Sequence, residues 1–170
     1  MDCCEGSYVM KNDVMVRDML PEDIDGKGTV HYQSWQESYQ GIVDAGYLEW
    51  MSEERCREMA HRWPQNTAVA VMDDRVVGFG CWHSCQNDPT VAELGALYVL
   101  EEYKGQGLGR MLADYCLEKV SEYKKVILWV LEENYRAIGF YEHYGFVKTG
   151  EKTEMKLGTP VSCICMAKKI

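Results

Sequence analysis

The sequence predicts a single mixed α/β domain, and three observations lead there. Apolar residues switch between strand and helix spacing in the order strand, two helices, three strands, helix, strand, helix, two strands. Lys125 to Leu131 is almost wholly apolar, which suits a strand covered on both faces. Val99 to Arg110 joins an apolar strand to an amphipathic helix through three alternating glycines, Gly105, Gly107 and Gly109. At 170 residues the chain is long enough for one core that hides roughly 70% of the unfolded surface, so the domain is read as 1–170.

Taken in order, residues 1–13 carry little pattern and are expected to be loose or to pair late. Val14 to Arg17 reads as a short strand. Pro21 then opens a helix through Ile24 to about Tyr39, weakened at its start by Gly26 and Gly28. A second helix lies within Asp44 to Arg62, where Leu48, Met51, Cys56 and Met59 share a face, and it stops before Pro64. Thr67 to Met72 and Val76 to Trp82 form a hairpin about Asp73-Asp74-Arg75. Val91 to Leu100 is the strand feeding the glycines, and Gly109 to Lys124 is the helix after them. Asn134 to Tyr144 is a short helix closed by Gly145, which suits a left-handed cap. Phe146 to Leu157 and Val161 to Lys168 end the chain as a hairpin.

Composition narrows the function classes. With 18 basic against 27 acidic residues, a net charge of −9 repels nucleic acid and anionic membrane while suiting a cationic amine. No apolar run approaches the roughly 18 residues of a membrane span, and the N-terminus lacks the order of a signal peptide, so a cytoplasmic location is expected. Eight cysteines are too few for a disulfide scaffold at this length. Cys81, His83 and Cys85 alternate along one strand, but that spacing is not chelating and no further pair supplies a fourth ligand, so no metal is assigned. Cys116 reads as core filling, and Cys163 and Cys165 as the inward face of a strand.

The glycine stretch is where a phosphate is expected to sit. Glycine lets backbone N–H groups approach an anion, the following helix adds the positive end of its dipole, and Lys104 and Arg110 flank the loop. Neither the nucleotide-hydrolase pattern G-x-x-x-x-G-K-S/T nor the dinucleotide fingerprint G-x-G-x-x-G fits residues 105–110. Lys104-Gly-Gln-Gly107-Leu-Gly109 instead resembles the R/Q-x-x-G-x-G/A acyl-coenzyme A loop of the GCN5-related N-acetyltransferases (GNAT), with lysine where arginine or glutamine is usual. Asn134-Tyr-Arg-Ala-Ile-Gly-Phe-Tyr141-Glu-His-Tyr-Gly145-Phe146 resembles that family's N-x-x-A-x-x-F-Y-x-x-x-G-F segment, at the family's distance from the loop. Two patterns in the right order are far more specific than either alone, and the element order matches from about residue 14 to the end.

The resemblance implies a mostly antiparallel, twisted sheet of six to seven strands with one splayed parallel pair, flanked by about four helices. It implies acetyl-CoA as cofactor, held by the backbone of Leu97, Tyr98 and Val99 in the splay and by Lys104, Gly105, Gln106, Gly107, Leu108, Gly109 and Arg110 at the diphosphate. Asn134 is divided between contacting the cofactor and capping its helix. Tyr141 stands where the family carries a tyrosine facing the cofactor sulfur. A phenol near ~10 is a poor acid toward a thiolate near ~8.5, by about 2 kcal/mol, so hydrogen bonding to developing charge is its expected role. Glu93, six residues before Val99, is the candidate base of histone-type relatives, or else a solvent-facing strand residue. Unaided proton transfer from an amine near ~10.4 to a carboxylate near ~4.3 costs about 8 kcal/mol, so a raised affinity, a water relay or a late proton is required. The ribosomal-protein subgroup's glutamate would fall at Trp129, which argues against that subgroup's route. Val30 to Gly41 resembles the family's first helix, making Trp35 and Tyr39 either core or walls of an acceptor pocket. Transfer of acetyl to a primary amine of a small molecule or peptide by direct attack is expected, possible homodimerisation following only by analogy. The rival is a noncatalytic module that binds or senses acyl-CoA.

Overall fold

The computed structural model describes residues 8–11 and 13–170. Eight strands form one sheet among them: β1 (Tyr8–Lys11), β2 (Val14–Asp18), β3 (Thr67–Met72), β4 (Arg75–Cys85), β5 (Asp88–Val99), β6 (Lys125–Leu131), β7 (Val147–Leu157) and β8 (Thr159–Lys169). Their spatial order is β1-β2-β3-β4-β5-β6-β8-β7, antiparallel except for the β5–β6 pair. Five helices pack on it: α1 (Ile24–Ser38), α2 (Ala45–Trp50), α3 (Glu53–Arg62), α4 (Leu108–Lys119) and α5 (Tyr135–Tyr144).

Of the stretch expected to be loose or to pair late, residues 8–11 pair with β2 and add an eighth strand; residues 1–7 and 12 lie outside the described residues. Two expectations are corrected. The helix read across 44–62 is two, because the chain turns at Met51 and Ser52 restarts it, its hydroxyl accepting from the Arg55 N–H at 3.3 Å. Helix α4 ends at Lys119, five residues earlier than predicted, where Val120 leaves helical geometry and plugs the core.

Packing explains the glycines that weaken α1 in isolation. A Cβ on Gly28 would sit 2.6 Å from the Arg57 Cα, so the bare backbone is what lets α1 and α3 lie in direct contact. The Asp23 carboxylate pins the start of α1, accepting from Leu20 N–H at 2.7 Å and from Arg17 on β2 at 3.1 Å. On the opposite face, α4 buries Leu112 and Cys116 against β4 and β5, in one core with Val126, Leu128, Ile138 and Phe146. Cys163 and Cys165 are likewise buried.

Candidate active site

The site begins where two strands stop pairing. Parallel neighbours β5 and β6 are in register only at Val91–Lys125, Ala92–Val126 and Glu93–Ile127, after which they separate. One cause lies on the other edge of β5: Cys81 pairs with Ala96 but Trp82 with Leu94, so Gly95 is an extra residue that bends the strand. Leu100 donates to the Val77 carbonyl at 3.0 Å; strand alternation therefore turns the Tyr98 N–H toward β4 and those of Leu97 and Val99 toward the gap. Of the three backbone positions expected to face the gap, Leu97 and Val99 direct donors into it and Tyr98 does not.

The gap continues as a cavity of about 1260 Å³. Its wall includes Glu93, Leu97, Tyr98, Val99, Lys104, Gly105, Gly107, Gly109, Arg110, Asn134, Tyr141, Trp35 and Tyr39, bringing together most of the residues singled out from sequence. Two stand apart. The Leu108 side chain is buried in the core, leaving its backbone for any ligand, and Gln106 donates to the Glu102 carbonyl at 3.3 Å.

At the wide end, Gly105 and Gly107 adopt φ of 77° and 87°, which L side chains resist, and no atom would oppose a Cβ at either. Gly107 precedes α4, whose N-terminus carries no side-chain cap, so its first N–H groups are available to an anion. Glu101 holds two cations beside this loop, Lys104 at 2.7 Å and Arg136 at 2.6 Å, and hydrogen bonds from Lys104 and then Arg136 hold its carboxyl below the usual range. Arg136 was not foreseen, being an unspecified position within the Asn134 to Phe146 segment. The Asn134 side chain caps α5, accepting from Ala137 N–H at 3.2 Å.

Tyr141 projects from α5 against Phe140 and Phe146. Burial is the main cause that pushes its phenol well above the ordinary value, so it stays protonated. Glu93 closes the narrow end, its carboxylate 4.0 Å from His83 Nε2 on β4. Beyond it, the Trp35 indole N–H donates to the Tyr98 hydroxyl at 3.1 Å, and the Tyr98 and Tyr39 hydroxyls lie 3.0 Å apart. The indole can only donate, so Tyr98 accepts from it, and either hydroxyl can donate across the Tyr98–Tyr39 contact. Trp129, Leu131, Lys152, Met155 and Cys163 also line the cavity. No group of three or more histidine, cysteine or acidic side chains that could hold a metal occurs among the described residues. No described helix is long and apolar enough to cross a membrane.

Comparison with known proteins follows the same lines. The acetyltransferase (GNAT) family matches residues 30–146. An uncharacterized N-acetyltransferase, YuaI, of Bacillus subtilis is 30% identical over 81% of this chain and 83% of its own length. The peptidyl-lysine N-acetyltransferase YjaB of Salmonella typhimurium is 34% identical over 54% of this chain and 57% of that one. Among solved structures, the PaiA N-acetyltransferase of Thermoplasma acidophilum in complex with coenzyme A superimposes with a TM-score of 0.75, at 25% identity, over 92% of this chain and 99% of the other.

Proposed function

This chain belongs to the GNAT acetyltransferase family and is an acetyl-CoA-dependent acyltransferase; from that premise we propose that it acetylates a primary amine of a small molecule or peptide by direct attack within a ternary complex. The observation that carries this reading is the separation of β5 from β6 after Glu93 and Ile127, with one cavity running from Glu93 and Tyr141 to the glycine loop. The residues present suit the cofactor. Open-edge amides of Leu97 and Val99 match an extended amide-bearing arm, and the uncapped start of α4 with Lys104, Arg110 and Arg136 matches a diphosphate.

Bound there, acetyl-CoA supplies an acetyl group activated as a thioester. One of these two strand N–H groups would offer a donor to the thioester carbonyl oxygen as it gains charge, the other remaining for the arm. Glu93 accepts the proton that the attacking amine gives up. Tyr141, kept a phenol by burial, donates a hydrogen bond to sulfur as thiolate character develops. Trp35 and Tyr39 wall the acceptor end, where the Tyr39 hydroxyl offers a polar contact beside the amine. The relative named peptidyl-lysine N-acetyltransferase supports keeping peptides among the acceptors.

The test is release of free thiol from acetyl-CoA across a panel of polyamines, aminoglycosides, amino acids and peptides, in wild type and Tyr141→Phe. Acceleration by one amine class, reduced in the variant, is expected. Tight cofactor binding with no acceleration by any amine would leave the noncatalytic acyl-CoA module standing instead.

A further inference from the structure

The proton that Glu93 accepts must return to bulk water, and the carboxylate has a titratable cross-strand neighbour that leads outward. His83 and Glu93 are direct cross-strand partners on β4 and β5, so their side chains share a face of the sheet. His83 Nε2 is 4.0 Å from Glu93 Oε1, a span closed by a small rotation or one water. Exposure rises along the pair, from 24% for the Glu93 side chain to 54% for His83. Glu93 lines the cavity and His83 does not. Two further features set the imidazole's orientation. Its Nδ1 lies 3.2 Å from the Ser84 carbonyl oxygen, which can only accept, so Nδ1 carries a hydrogen, and in the neutral ring Nε2 is the nitrogen open to a proton from Glu93. A Cβ on Gly95 would lie 3.2 Å from Nε2, so the bare residue at the β5 bend is what gives the ring its room.

Resting on the reading of Glu93 as the base, we propose that His83 is the proton outlet of the active site. The carboxyl O–H formed on Glu93 breaks as an N–H bond forms at His83 Nε2, and the imidazolium then releases that proton to bulk water, restoring both groups. The other ionisable groups nearby do not compete for this role. Cys81 and Cys85 from β4 and Cys165 from β8 feel the Glu93 charge, and burial pushes all three thiols upward, so they stay neutral. Lys27 of α1 acts on Cys81; Asp88 of β5 and Lys125 of β6 act on Cys85; Lys125 and Glu151 of β7 act on Cys165. Among these side chains only an imidazole exchanges protons readily near neutral pH.

The experiment compares wild type, His83→Gln and Glu93→Gln with acetyl-CoA and the fastest amine of the panel, across pH and at low and high concentrations of imidazole buffer. His83→Gln is expected to lower kcat several-fold at low buffer, leave the KM for acetyl-CoA unchanged, and recover as imidazole is raised, whereas Glu93→Gln loses activity and does not recover. A merely structural role for His83 would not yield to buffer. If Glu93→Gln is inactive while His83→Gln matches wild type in kcat, pH profile and buffer dependence, the outlet is refuted and the base stands. If Glu93→Gln retains full activity, both fall.

Discussion

Trp35 on α1 and Tyr98 on β5 are joined by a hydrogen bond of 3.1 Å from indole N–H to phenol oxygen, and the Tyr98 hydroxyl lies 3.0 Å from that of Tyr39. Tyr98→Phe therefore strands a half-buried donor and removes the group that orients Tyr39. A loss of about 1–3 kcal/mol in stability is expected, read from the urea midpoint. The KM for the amine should rise while CoA affinity, which depends on main-chain amides and the glycine loop, holds.

Gly107 sits at φ 87° immediately before α4. Gly107→Ala places a Cβ on a left-handed backbone at a cost of about 1–2 kcal/mol, and any relaxation swings the α4 amides away from the anion. Calorimetry with CoA should show affinity falling at least tenfold, with little change in the circular dichroism of the free protein.

Tyr141→Phe removes one donor and almost no volume. Loss of a single stabilising donor at a developing charge is worth roughly 10²-fold in kcat, with the KM for acetyl-CoA unchanged. Because burial raises the phenol, the wild-type rate should not decline through Tyr141 ionisation at any pH up to 10. An alkaline limb near 9 that vanishes in Tyr141→Phe would contradict this.

His31 is buried among Trp35, Phe79 and Tyr98, and its affinity for a proton is pushed down to about 4, chiefly by burial and then by Lys27. The unfolded chain thus binds a proton that the folded chain refuses. Stability from this residue is whole above about 6.5 and drains away as pH falls toward 4, by about 3 kcal/mol in all. Urea midpoints should drop between pH 7 and pH 4.5 in wild type, and the drop should shrink in His31→Phe.

Much of the site was legible because its signals are local. Glycine positions, the N-cap at Asn134 and the αL cap at Gly145 act within a turn, and Tyr141 came from the resemblance of the Asn134 to Phe146 segment to the family's pattern. What stayed hidden depends on pairings distant in sequence. Trp129 reaches the cavity from β6, which borders the gap, and Lys152 and Met155 reach it from β7 at the end of the sheet; periodicity does not reveal that strand order. The break between α2 and α3 had a signal in Ser52-Glu53-Glu54, but Met51 fits helical spacing on both sides and masked it. Strand β1 is four residues long, too short to show alternation.

The sheet is in effect two panels, β1 to β5 and β6 to β8, sharing three backbone rungs. A ligand lodged in the seam replaces the rungs that are missing, so its arrival stiffens the whole molecule as well as filling a pocket. CoA should then raise the melting temperature and slow amide exchange in β6, well away from any phosphate, and an amine alone should do neither.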